Sequence, residues 1–466
     1  MKKLFLSVFG CILLLSVGFT ASCEKLSQLS EDLASESTSI EESDFGSEEI
    51  GETAPGGETP IETEPKTESP FIYSETDTEA VITGLKTATP ELVIPAEING
   101  KSVVGISERA FASQTGIINL TISDGVKTIG KEAFKNCSAL KSVYIPESVE
   151  FIGYSAFNGC SALESITLPF TGEREKLKEE TYSYPFGYIF GKERFSGATE
   201  TSQYYYYNSL NEVASSAYYI PKTLKEVKVT GKGNTHLPYD AFRSLENLKK
   251  ITIGEKVESI GKFAFSVCHA EIEFENPKIA CLGEYSFADY KGSAVTIPES
   301  VKKIGKCAFE DCENLKGIVV PETVKEIDLF AFRGCTRMNK VVIEEGVEKI
   351  GVNAFYFCTS LKTVSLPNSL KEISDSAFMS CRAITSIDIP KSVKIIGKDA
   401  FKNCNALSKI NFKEKNGWRY YNSTTSGDYI TEQTASNSST IAYYLTGRLS
   451  DYIWERVDSA PIQKTI

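Results

Sequence analysis

The sequence predicts a β-rich repeat solenoid: coils of 22–23 residues with parallel strands, an N-terminal and a C-terminal cap, and one aromatic-rich insertion. Three observations carry that expectation. An Ala-Phe pair recurs at fixed spacing, a segment of alternating apolar and polar residues precedes each pair, and a cysteine follows most pairs three residues on. Self-similarity at a short fixed period means that each unit buries its apolar face only by stacking on the next.

At the N-terminus, Lys2 and Lys3 precede an apolar run from Leu4 to about Phe19. This is the layout of an export signal, and the run is too short for a membrane span. Thr20-Ala21-Ser22-Cys23 follows and resembles the lipobox of bacterial lipoproteins, with Thr20 where Leu is usual. The resemblance implies a signal peptide over 1–22, cleavage before Cys23, and a lipid on Cys23 that attaches the chain to the membrane of the cell envelope. Residues 24–70 hold 14 acidic and 2 basic side chains, which accounts for the formal net charge of -12 of the whole chain. Rich in Ser, Thr, Gly and Pro, residues 23–70 have too little apolar area to offset ordering entropy. A disordered acidic stalk is expected there. The remainder is charge-balanced, so net charge offers no basic face for a nucleic acid.

Residues 71–105 are expected to cap the first coil, with short strands at Tyr73, Ala80–Thr83 and Leu92–Ile94. Regular units then fill 106–412. Their phenylalanines are Phe111, Phe134, Phe157, Phe242, Phe265, Phe287, Phe309, Phe332, Phe355, Phe378 and Phe401, with Ser286 replacing Ala once. A full unit runs from Leu140 to Cys160 and recurs closely at Leu361–Cys381. Leu140-x-x-Val143-x-Ile145 alternates like a half-buried strand, and Pro146 ends it. Val149-x-x-Ile152-Gly153 follows, with a glycine suited to a sharp bend, then Ala156-Phe157 and a polar corner.

These words resemble the BspA-type leucine-rich repeat of secreted and surface proteins of bacteria and some protists, over roughly residues 90–412. The resemblance implies a leucine-rich-repeat solenoid, a binding role of the adhesin and matrix-binder kind, and neither catalytic residues nor a cofactor.

Cysteine usage bears on the alternatives. Cys137, Cys160, Cys268, Cys312, Cys335, Cys358, Cys381 and Cys404 all stand three residues after the repeat Phe and form a column. Such a column is read as small buried hydrophobes, with disulfides and metal as alternatives. Cys281 and Cys307 fall off it. No metal is expected, because the chain has no Cys-x-x-Cys and only His236 and His269. His236 lies in a turn-like Gly-Asn-Thr-His segment and His269 beside a column cysteine. Neither suits a nucleophile–base arrangement, and no Gly-rich phosphate loop is present, so an enzyme is not expected.

The period breaks between Leu168-Pro169 and Leu224. The insertion, about 170–223, carries Tyr188, Tyr204, Tyr205, Tyr206 and Tyr207 among many aromatics. Insertions in repeat arrays map to one face, and tyrosine-rich loops give large contact area at low entropic cost. These five residues, with Tyr144 on the outward row of the strands, are the candidate ligand contacts. Packing of the aromatics onto the solenoid stands beside that reading. Residues 413–466 are expected to form the C-terminal cap, with Ile441–Trp454 spaced for a helix. The whole reads as a surface lipoprotein whose solenoid binds a host or matrix protein or a glycan. The alternative is a structural envelope scaffold that holds partner proteins and has no extracellular ligand.

Overall fold

In the computed structural model, the residues described are 69–457, apart from 175–183, 207–212, 234, 276–277 and 423–424. The signal (1–22), Cys23, the stalk up to residue 68, Tyr207 and the last residues of the C-terminal cap lie outside them.

Each coil follows the chemistry of its unit. A strand of three or four residues, such as Asn119–Ile122, Ser142–Tyr144 or Ser165–Leu168, alternates inward apolar with outward polar side chains. Pro146 then turns the chain, its carbonyl accepting from the Val149 N–H at 3.2 Å. A two-residue strand follows on the other wall, for example Thr128–Ile129 or Phe151–Ile152. Neighbouring coils pair parallel and in register: Leu120 lies opposite Val143, and Val143 opposite Ile166. The wide wall runs as seven strands from Glu91–Ile94 to Glu271–Phe274 and resumes at Gly317–Val320; after the insertion the narrow wall supplies eight strands of an 11-stranded sheet, whose last three strands belong to the C-terminal cap.

The core between the walls is a set of columns. Phe111, Phe134 and Phe157 stack with ring centroids 5.0 and 5.5 Å apart and planes within 2° of parallel. The column continues from Phe309 through Phe332, Phe355 and Phe378 to Phe401 at 5.1–5.5 Å. Beside it run the thiols. All ten described cysteines are free and buried. Seven of the column thiols donate to the carbonyl of the repeat Phe 25 or 26 residues earlier, as Cys137 does to Phe111 at 3.1 Å and Cys404 to Phe378 at 3.1 Å. A buried carbonyl at the corner is thereby satisfied by a small side chain. Burial also pushes the Cys137 and Cys404 thiols up to about 12.

The glycine that follows most of the second strands serves a different purpose from the expected bend. Gly153 is not left-handed; a Cβ there would lie 2.3 Å from the Lys131 backbone nitrogen of the preceding coil. Close approach of coils, rather than a turn, selects it.

Both ends are closed by antiparallel strands. Phe71–Glu75 pairs with Glu79–Leu85, which joins the narrow wall through Lys101–Ile106. Glu91–Ile94, read from sequence as part of the cap, is already the first strand of the wide wall. At the other end Ile453–Arg456 pairs antiparallel with Ile395–Ile396, and Trp418–Asn422 adds beyond it. The expected Ile441–Trp454 helix is shorter. Helical turns cover Ser438–Tyr443 and Tyr444–Arg448, and Trp454 belongs to the closing strand. Pairing with Ile396 fixes it there, and its ring, like that of Trp418, is buried.

Deleting one ring from the column removes stacking on both neighbours. Phe332→Ala is expected to cost about 3–5 kcal/mol. Urea unfolding measures the loss, and amide exchange should rise first in the coils that flank Phe332.

Candidate functional site

The insertion leaves the wide wall untouched, because Ser165–Leu168 pairs directly with Glu226–Val229 in full register. It departs instead at the corner. There a single 3-10 turn, Phe186–Ile189, takes the place of a regular corner. The Phe157 N–H donates to the Ile189 carbonyl at 2.9 Å, and the Phe186 N–H donates to the Ala241 carbonyl at 3.2 Å. Phe186 also lies 5.3 Å from Phe242 and 5.3 Å from Phe190, so rings of the insertion join the aromatic column of the following coils.

The other half of the insertion is an antiparallel hairpin, Ala198–Tyr206 with Val213–Pro221, of nine residue pairs. Its inward side chains fasten it. Gln203 is fully buried and serves three backbone groups: it accepts from the Gly187 N–H at 2.8 Å and donates to the carbonyls of Asp240 and Ala241 at 3.2 and 3.0 Å. Such contact needs Gly187, where a Cβ would lie 2.6 Å from the Tyr218 ring and 2.7 Å from the Gln203 amide oxygen. Thr201 reaches the carbonyls of Arg243 and Ser244. Asp240, also fully buried, accepts from the Tyr204 N–H at 2.6 Å and pairs with Arg243 at 3.4 Å. Burial pushes its carboxyl up to about 7, and Arg243 and the Tyr204 N–H only partly offset that.

The candidate residues separate on this frame. Tyr204 turns to one side of the hairpin, where the Arg243 guanidinium lies 5.1 Å from its ring. Tyr205 turns to the other and lies 5.4 Å from Tyr184. Both are half-buried. Tyr206 is paired with Val213 in the hairpin. Tyr188 is a packing residue: only 8% exposed, it lies against Tyr184 at 4.2 Å and Tyr154 at 5.4 Å. Its ring faces are closed to a ligand, because the 3-10 turn that carries it fills the corner of the core. Tyr144 is 46% exposed on the wide wall between Thr121 and Thr167, far in sequence from the hairpin. Farther along that wall, Thr296, Gly317, Val319, Lys340 and Val342 line a shallow depression of about 410 Å³.

His236 is on a strand, Thr235–Leu237, rather than in the turn expected from its neighbours. Parallel pairing with Val257–Ile260 draws it in. Its Nδ1 contacts the Ser259 hydroxyl, and burial pushes the imidazole down to about 4. The ring is therefore neutral at physiological pH. Among the described residues no group of three His, Cys, Asp or Glu could hold a metal ion, and no helix is long and apolar enough to cross a membrane.

Comparison with known sequences and folds adds a family. The profile described as BspA type Leucine rich repeat region, in six copies, matches residues 104–235, 188–274, 235–345 and 325–441, which together exceed half of the chain. A search of curated proteins gives no match. Among solved structures, the chain is similar to a leucine rich cell surface protein of Faecalibacterium prausnitzii at 22% identity, covering 75% of this chain and 95% of that one, with a TM-score of 0.29. A leucine-rich repeat protein of Bacteroides ovatus matches at 21% identity, 74% and 93% coverage, and a TM-score of 0.34. A leucine-rich repeat protein of T. pallidum matches at 17% identity, 75% and 91% coverage, and a TM-score of 0.22.

The raised carboxyl gives a pH test of the latch. Between the ordinary Asp value, 3.8, and about 7, the folded chain keeps a proton on Asp240 that the unfolded chain has lost. Stability contributed by this group therefore falls as pH rises from about 4 to about 7 and is level on either side. Asp240→Asn, which keeps an acceptor for Tyr204, should flatten that part of the curve of melting temperature against pH.

Proposed function

Because the chain belongs to the BspA-type leucine-rich-repeat family, we propose that it is a surface-displayed binding module of the adhesin kind, which takes a host or matrix protein or a glycan at its aromatic hairpin. The observation that supports this reading is the fastening of the hairpin. Gln203, Thr201 and Asp240 hold it through buried and part-buried hydrogen bonds, while Tyr204 and Tyr205 stay half-exposed on its two sides. A pre-ordered aromatic loop binds without a large ordering cost. In this reading Cys23 carries the lipid, and the acidic stalk spaces the solenoid from the membrane.

The mature chain with Cys23→Ser, applied to immobilised matrix proteins and mucin glycans, tests both parts. It is expected to appear in the soluble fraction, whereas the parent chain stays with membranes. It should bind at least one of the immobilised ligands, and Tyr204→Ser with Tyr205→Ser should weaken that binding about tenfold or more, as loss of aromatic hot spots does. Undiminished binding by the double variant would place the contact elsewhere, and an unchanged membrane fraction would remove the lipid from the account.

A further inference from the structure

Every regular coil turns its corner through two left-handed residues, one just before the Ala of the Ala-Phe pair and one two residues after the Phe. Most coils place residues there that tolerate the conformation. Asn353 fills the first slot at φ 55°, Asn136 and Asn403 fill the second at 61°, and Gly159 fills it at 78°. Several slots depart from this, among them Val267 at 57° and Cys307 at 55°, and four hold aromatic residues: Phe263 and Phe330 at 57°, Tyr285 at 56° and Phe357 at 62°. A bulky side chain at such a φ crowds the following carbonyl, and strain of this kind gathers at binding sites. The corner itself does not call for an aromatic, since Asn353 makes the same turn one coil after Phe330.

None of the four belongs to the buried column. Phe357 is 40% exposed, and the other three are half-buried. Each of them has at least one ring face against a neighbour. Phe263 and Tyr285 stack at 4.8 Å with planes 5° apart. Arg243 lies over Phe263 at 5.3 Å, Arg333 over Phe330 at 5.6 Å, and Arg382 over Phe357 at 5.8 Å. Glu310 holds Arg333 at 2.5 Å. Arg382 is exposed and, among the described residues, has no carboxylate within ion-pair distance.

From this row we infer a protein-docking edge that runs from Phe263 to Phe357 and receives a polypeptide surface mixing carboxylates with apolar side chains. Aromatic residues and Arg are the types that carry binding energy at interface centres, and here they replace residues better suited to the backbone. Arg243 and Arg333 already serve Asp240 and Glu310, whereas Arg382, lying on the Phe357 ring, keeps its in-plane N–H donors for a carboxylate of the partner. Stacking of a sugar ring is disfavoured on the faces where a neighbouring ring or a guanidinium already lies. The edge adjoins the hairpin through Arg243, yet the inference does not depend on a ligand at the hairpin.

The test uses the mature chain with Cys23→Ser and, as probe, an immobilised random copolymer of Glu and Tyr, with polylysine and chondroitin sulfate as the other arms. The copolymer should bind and polylysine and chondroitin sulfate should not. Phe330→Asn with Phe357→Asn, and separately Arg382→Ala, should each weaken copolymer binding about tenfold. Because Asn relieves the left-handed strain, the melting temperature of the Asn double variant should be unchanged or higher. A lower melting temperature would mean that the aromatics serve the coil and would overturn the inference. So would binding that survives these variants, absence of copolymer binding, or binding of chondroitin sulfate alone.

Discussion

Register between neighbouring coils is the constraint on which the rest of this structure depends. A coil of 22–23 residues cannot enclose its own apolar ring, so its Leu, Ile, Phe and Cys side chains are buried only when the next coil repeats them at the same place. The in-register pairing of Leu120 with Val143 and Val143 with Ile166 is the backbone expression of that rule. The stacked phenylalanines and the thiol-to-carbonyl bonds are its side-chain expression. On the narrow wall even the surface obeys it: Lys349 lies between Glu326 at 3.4 Å and Glu372 at 3.7 Å, one from each neighbouring coil. Exposed pairs of this sort add little stability, but they disfavour a slipped register that would bring like charges together.

The same constraint explains how a long insertion is tolerated. Its strand-side residues must remain in the wall, and Ser165–Leu168 and Glu226–Val229 do so. Its corner must still supply rings to the column, and Phe186 and Phe190 supply them. Only what remains is free to project, and that is the hairpin. Gln203 and Asp240 are then needed because the hairpin would otherwise leave backbone groups of the neighbouring coil buried without partners.

Much of this was legible in the sequence, because the columns are written there at a fixed period. The spacing of the Ala-Phe pairs gave the coils, the cysteines three residues later gave the thiol column, and the resumption at Leu224 gave the far edge of the insertion. What escaped depends on contacts between residues remote in sequence. Tyr188 and Tyr204 look alike as tyrosines in one aromatic stretch, and only the bond network of Gln203 divides packing turn from projecting hairpin. Trp454 has helical spacing from Ile441, yet pairing with Ile396 makes it a strand residue. The left-handed corner slots had no signal, since Phe330 and Asn353 occupy equivalent positions with opposite side-chain character. His236 escapes for a similar reason, its strand being created by a neighbour about 20 residues on.

The central claim is that the hairpin is a fixed extension of the repeat core rather than a loose loop. Native-state hydrogen exchange of individual amides tests it most directly. If the claim holds, the amides of Gly187 and Tyr204 will be protected to the same degree as that of Phe242 in the adjoining coil. Exchange at Gly187 and Tyr204 at the rate of an open loop, with Phe242 still protected, would contradict it.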